Sequence, residues 1–284
     1  MRVQVGDVRL FFDVEGVKLI PDGPVMRARP TLLLLHGGPG FDHSSYKPAF
    51  SRLADLAQVV YLDHRGNGRS DRSTPDRWNL AQWGDDVRAF CDVLGIERPI
   101  VMGQSFGGFV AMSYAIRHPE HPAKLILSST AARHRLDRVL AAFERLGGTE
   151  AREAARRYWE KPGAATMRDY ARVCFPLYNH APRDPETNSR TVWNFDVMFA
   201  FGAGEDLRFN LLPALAGIRC PTLVLGGEDD PITPIGDAED IAAALPAQWV
   251  RFERFANCGH GVFRDAPERA FAVIREFLLA NDPL

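Results

Sequence analysis

Residues 31 to 35 read TLLLL, apolar at every position, and the run stops abruptly at His36-Gly37-Gly38. A strand covered on one face alternates, whereas a continuous apolar run of this length suits a strand buried on both faces of a parallel sheet. The same signature returns in AQVVYLD (57–63), PIVMGQ (99–104), KLILSS (124–129) and CPTLVLGG (220–227). QWVRFERF (248–255) reads as another strand, and MRVQVGDVRLFFDVEG at the start as a strand pair turning at Gly6-Asp7.

Between the strands the apolar period lengthens. Leu80, Trp83, Val87, Phe90 and Leu94 recur at spacings of three and four, which predicts one face of a helix closed by Gly95. Further helices are predicted over 48–56, 106–118, 237–245 and 267–280, the last built on Phe271, Ile274, Phe277 and Leu278. Strands alternating with helices of this length imply an α/β fold, a mostly parallel central sheet flanked by helices. One region departs from the rhythm: residues 132–209 contain helix-forming stretches (RVLAAFERL, EAREAARRYWE, MRDYARVCF) and loop signals at Gly147-Gly148, Lys161-Pro162-Gly163 and Ala181-Pro182, but no strand pattern. The expected organisation is therefore a core domain from 1–131 and 210–284 with a helical cap inserted at 132–209.

Composition adds limits. A chain of 284 residues, 46% of them hydrophobic, can bury a large core. Its formal net charge of -2, with both signs mixed along the length, gives no reason to expect a nucleic-acid partner or an anionic membrane surface. The N-terminal strand pair lacks the apolar block of a secretory signal, and no apolar run approaches the roughly 18 residues of a membrane span. A cytoplasmic protein is expected; the sequence assigns no oligomeric state. Cys91, Cys174, Cys220 and Cys258 are far apart and form no CxxC pair, so thiols are expected, with neither a disulfide framework nor a metal site. No cofactor fingerprint is present.

Chemistry enters at GQSFGG, residues 103–108, where a strand feeds a serine between glycines and then a helix. In that context GxSxG has a mechanical meaning: the tight turn lifts Ser105 at the carboxyl end of a strand. A serine hydroxyl needs a histidine base oriented by a carboxylate. Both lie downstream in loops after strands, with Glu228, Asp229 and Asp230 in EDDPITP and His260 in CGHG. Negative charge developing on a carbonyl oxygen would meet backbone N–H groups from Phe106 and from the His36-Gly37-Gly38 turn.

The set HGGPG (36–40), DHRGNGRS (63–70), GQSFGG (103–108), GEDDPITP (227–234) and CGHGVF (258–263) resembles the α/β-hydrolase superfamily, and the first two motifs resemble the proline iminopeptidase family. The resemblance implies an α/β-hydrolase fold with Ser105 as nucleophile, His260 as base and Asp230 as acid. Asp230 is chosen because the family's acid stands three residues after the glycine of this loop, before a short apolar-Thr-Pro stretch. Gly38 and Phe106 would supply the oxyanion N–H groups, while Asp63, Arg65 and the glycines of DHRGNGRS brace neighbouring loops.

The activity implied is release of N-terminal proline or another apolar residue from short peptides through an acyl-enzyme. The same machinery leaves open a carboxylic-ester or lactone hydrolase, and a ligand receptor without turnover on the same fold. An aminopeptidase must hold a free ammonium group, which calls for carboxylates in the cap. Glu186, Asp196, Glu205 and Asp206 are available there, with Asp196 (in WNFDVMFAF) and Glu205 the amine-binding candidates. The elbow departs from many family members in carrying Gln104 before the serine and Phe106 after it, which leaves the acyl group open.

Overall fold

The computed structural model describes residues 1–182 and 184–280. Its strands are β1 (Arg2–Val5), β2 (Val8–Glu15), β3 (Leu19–Asp22), β4 (Val25–Ala28), β5 (Thr31–Leu35), β6 (Gln58–Leu62), β7 (Ile100–Gln104), β8 (Lys124–Ser128), β9 (Thr222–Gly227) and β10 (Val250–Phe255). Its helices are α1 (Leu80–Leu94), α2 (Phe106–Arg117), α3 (Leu136–Glu160), α4 (Ala164–Val173), α5 (Thr187–Arg190), α6 (Phe195–Gly202), α7 (Ile235–Ala244), α8 (Val262–Asp265) and α9 (Pro267–Leu279).

Eight strands form one sheet in the order β1-β2-β6-β5-β7-β8-β9-β10. The pairs from β6 to β10 are parallel, while β1–β2 and β2–β6 are antiparallel. The apolar runs are buried on both faces as the pattern predicts. Leu33 and Leu35 pack with α1 and α2 on one side, and Leu32 and Leu34 pack with α9 on the other. Strand β5 lies between β6 and β7, so the chain leaves it in opposite directions. That reversal opens a crevice above the carboxyl ends of β5 and β7, where open α/β sheets bind ligands. The loops that follow these strands carry HGGPG and GQSFGG.

Between β8 and β9 the described residues form helices α3 to α6, and the segments that enter and leave this region pair through an antiparallel bridge of Arg133 with Asn210. Helices α3 and α4 share a small core around Val139, Phe143, Ala155, Tyr158 and Tyr170, while Val197 and Phe201 of α6 join the core on the sheet side. The Gly147-Gly148 signal falls on a break within α3: Gly148, at φ 69° and ψ −166°, is outside the helical region, and two helical stretches meet there across a kink.

Three local expectations change. Residues 48–56 form only a 3-10 turn, Ala49–Leu53, in which Phe50 and Leu53 are buried three residues apart, as a three-residue period allows. Leu94, on the predicted apolar face of α1, is exposed because it ends the helix; Cys91 takes the inner position one turn earlier. The hairpin β3–β4 had no visible signal, since its strands are almost entirely exposed and need no alternation. Among the described residues no helix is long and apolar enough to cross a membrane.

Candidate active site

Ser105 occupies the residue between β7 and α2 with φ 57° and ψ −124°, a backbone conformation in which a side chain is strained. The neighbours permit it by being glycine. A Cβ on Gly103 would sit 2.2 Å from the Gly107 carbonyl oxygen, and one on Gly107 would sit 1.9 Å from the Leu35 carbonyl oxygen. The turn is also tied down: Ser105 N–H donates to the carbonyls of Ser128 and Ser129 (3.1 and 3.0 Å), and Thr130 Oγ1 donates to the Ser105 carbonyl (2.8 Å).

Of the three acids after β9, the fold turns Asp230 towards the histidine. His260 Nδ1 lies 2.9 Å from Asp230 Oδ2 and 3.1 Å from Oδ1. The Asp230 carboxylate is fully buried and also accepts from Ile232 N, Thr233 N and Thr233 Oγ1 at 2.8 to 3.0 Å. These bonds satisfy a buried anion without consuming its contact with the imidazole. Asp229 is drawn away by Arg145 and His180, at 2.7 and 2.9 Å, and Glu228 is exposed. With Nδ1 facing a carboxylate, the imidazole presents Nε2 as the free base nitrogen. Ser129 links the two loops: its carbonyl accepts from Ser105 N–H, and its hydroxyl accepts from Gly261 N–H (2.9 Å). Cys258, two residues from the histidine, is buried and its thiol is pushed above its ordinary range, which leaves it a poor nucleophile.

Gly38 and Ser105 line one cavity. Phe106 is the first residue of α2, so its N–H has no intrahelical acceptor. The turn carrying Gly38 is fixed behind by His36, whose Nδ1 lies 2.7 Å from the Gly37 carbonyl and whose Nε2 accepts from His64 N–H (3.2 Å). Beneath it, DHRGNGRS acts as the expected brace. Buried Asp63 accepts from the backbone N–H groups of His43 and Arg69. Buried Arg65 makes a two-pronged pair with Asp86, at 2.7 and 2.8 Å.

The cavity walls are largely apolar, with Phe109, Val139, Phe201 and Phe209 among them, but two carboxylates, Asp206 and Asp237, also line it. Asp237 pairs with Arg138 at 2.6 Å, and burial still outweighs that partner and pushes its carboxyl up to about 6. Asp206 is 6% exposed and, among the described residues, its carboxylate accepts no hydrogen bond; His134 Nδ1 stands 3.9 Å away, on an imidazole that burial pushes towards the neutral form. Burial, with the charge of Glu205 next to it, pushes the Asp206 carboxyl up to about 7. Beside it Trp159 Nε1 and His134 Nε2 are buried donors or acceptors with no partner among the described residues.

The two amine-binding candidates lie elsewhere. Asp196 is exposed in the first turn of α6, and Glu205 accepts from Leu80 N–H (2.8 Å), capping α1; neither lines the cavity. Glu186 is exposed and paired with Arg190. Of the four cap acids, Asp206 is thus the one that shares a cavity wall with Ser105, in place of the neighbouring Glu205. Nothing in GAGED distinguishes the two before the turn is docked, because one faces a helix terminus and the other a cavity wall. Among the described residues no group of three or more His, Cys, Asp or Glu side chains is placed to hold a metal ion.

The profile of the family described as "alpha/beta hydrolase fold" matches residues 30–267. A Caulobacter sp. (strain K31) protein named as a candidate carbamate hydrolase, RutD, is 28% identical over 86% of this chain and 94% of its own length. A proline iminopeptidase of Levilactobacillus brevis is 29% identical over 88% of this chain and 89% of its own. Among solved structures, a thermophilic esterase from Thermogutta terrifontis is similar at a TM-score of 0.69, with 26% identity over 98% of each chain.

Proposed function

This chain belongs to the α/β-hydrolase fold family, and from that footing we propose that it is a serine hydrolase working through an acyl-enzyme on Ser105, an aminopeptidase that releases N-terminal proline or other apolar residues from short peptides. The observation that carries the peptidase reading is Asp206: a buried carboxylate with no hydrogen-bond partner among the described residues, on the wall of the cavity that Ser105 also lines, where apolar side chains predominate and Arg133, His134 and Arg135 are the basic members. A buried, unpaired anion is costly, and a substrate ammonium group is the partner that would offset that cost.

In the proposed reaction His260 Nε2 takes the Ser105 proton as Oγ attacks the carbonyl carbon, while Asp230 stabilises the imidazolium through Nδ1–H. The N–H groups of Gly38 and Phe106 meet the oxyanion. His260 then gives the proton to the leaving amine and the tetrahedral intermediate collapses to the acyl-enzyme. Water, activated by the same imidazole, releases the amino acid and restores Ser105.

A second reading, hydrolysis of a carboxylic ester or lactone, draws on the esterase similarity and on the apolar walls. Prolyl- and alanyl-p-nitroanilides, their N-acetylated forms and p-nitrophenyl esters separate the two. The aminopeptidase reading expects turnover of the free amines with at least about 100-fold preference over the acetylated forms, the loss of a buried ion pair being worth several kcal/mol. Ester turnover with no anilide cleavage supports the second reading. Failure of a fluorophosphonate to label Ser105 overturns both.

A further inference from the structure

We propose that Asn194 is a positioning residue for the oxyanion loop, through which the docked segment leading into α6 fixes the place of Gly38. The inference rests on the serine-hydrolase reading above.

The loop His36–Phe41 has two anchors. At its start the acceptor role of His36 Nε2 towards His64 N–H leaves the proton on Nδ1, which therefore donates to the Gly37 carbonyl. Because the peptide is planar, pinning that carbonyl also sets the direction of the Gly38 N–H on its opposite side. This anchor fixes direction, but the following residues, Gly38 at φ 128° and Gly40 at φ 88°, have the freedom of glycine. Position is set at the far anchor. The Gly40 carbonyl accepts from Asn194 N–H at 2.8 Å, and Gly40 N–H donates to Asn67 Oδ1 at 2.5 Å.

The second anchor is a closed ring. Asn194 Nδ2 donates to the Gly66 carbonyl (2.7 Å), and Gly66 precedes Asn67, whose side chain returns to Gly40. The segment from 191 to 202 thus contributes one residue to a circuit otherwise made by the two loops of the sheet. The contact is close: a Cβ on Gly40 would lie 2.5 Å from the Asn194 carbonyl oxygen. Asn194 is 8% exposed, so its amide has no water to substitute for Gly66. On the same side Val192 N–H donates to Asp42 Oδ2 (3.1 Å), and Thr191 Oγ1 reaches Ser44 Oγ (3.3 Å). With the circuit open, the donor at Gly38 loses its fixed distance from the carbonyl oxygen, and a displacement of about 1 Å is enough to cost about 100-fold in rate.

Asn194→Asp isolates the effect. Aspartate caps α6 as well as asparagine does, where Oδ1 now accepts from Asp196 N–H, but it cannot donate to Gly66. The expected result with a p-nitrophenyl ester is a kcat lower by about 10- to 100-fold, KM within about threefold, and affinity for an acyl trifluoromethyl ketone, which forms a tetrahedral adduct, reduced by the same factor as kcat. Amide exchange in the peptide spanning residues 37–41, measured at 10 °C, should speed up by about tenfold or more, a 1.4 kcal/mol loss of protection being one such factor. Asn194→Ala should give the same signs, and Thr191→Val, at the edge of the segment, should leave all four readouts within about twofold. A raised KM with unchanged kcat overturns the proposal, as does unaltered exchange in residues 37–41 of both Asn194 variants. If the wild type takes no label at Ser105 the hydrolase reading fails, while the exchange measurement still decides whether Asn194 holds the loop.

Discussion

Replacing Asp206 with asparagine separates the price of a buried charge from its use. The carboxyl sits at about 7 in the folded protein against an ordinary value of 3.8, raised by burial and then by Glu205. Between those values the folded protein holds a proton that the unfolded chain has already released, so stability falls as pH rises from about 4 and the loss is complete somewhat above pH 7. At 1.36 kcal/mol per pH unit the gap corresponds to a penalty of about 4 kcal/mol at pH 8. Unfolding entropy of about 2.1 cal/mol/K per residue makes this about 7 °C for a chain of 284 residues. Asp206→Asn keeps the shape and cannot ionise. Part of that penalty is already present at pH 4.5, so differential scanning fluorimetry from pH 4.5 to 8.5 should show the variant gaining on wild type by about 5 °C across that range, on top of any pH-independent offset from the buried amide. Activity should move the other way. Wild-type kcat/KM for a free-amine anilide, divided by that for an ester, should fall below about pH 7 as Asp206 takes a proton, because dividing by ester turnover cancels the shared contribution of His260. In Asp206→Asn that ratio should be lower by about 100-fold at pH 8 and flat with pH. A melting difference that stays constant within about 1 °C over the whole range refutes the assignment of a buried, unpaired carboxylate, and an unchanged ratio refutes its contact with the amine.

Other variants test the remaining parts. Ser105→Ala should abolish fluorophosphonate labelling and lower kcat by at least about 10⁴-fold, read by active-site titration and progress curves. Asp230→Asn should leave the melting profile cooperative while kcat drops by about 10³- to 10⁴-fold, since the amide no longer holds the imidazole with Nε2 free. Gly107→Ala would put a methyl group 1.9 Å from the Leu35 carbonyl oxygen, and a loss of 3 kcal/mol or more, or failure to yield folded protein, is expected by urea denaturation. Arg65→Ala leaves Asp86, 5% exposed, without its two-pronged partner and should cost about 3 to 5 kcal/mol in the same assay.

What could be read from the chain and what could not divides along a physical line. The parallel strands are covered on both faces, so each shows as an unbroken apolar run, and the loops after them necessarily gather at one edge of the sheet. Ser105, Asp230 and His260 follow from that geometry because each stands within a few residues of a strand end. The segment 49–53 was harder, since its two buried side chains fit a helix and a 3-10 turn equally. The hairpin β3–β4 buries too little to impose any pattern. The cap residues are hidden for a different reason. Asp206 has His134 and Trp159 around it, from the start and the end of the first cap helix region, and Asn194 meets Gly40 and Gly66 from two separate sheet loops. Contacts of this kind leave no period in the sequence, because their partners come from elements whose relative placement is decided only when the whole fold docks. A serine, an acid and a histidine in strand-end loops can thus be named in advance, whereas the proposed amine-binding group, Asp206, is found only by asking which buried carboxylate is left without a hydrogen-bond partner among the described residues.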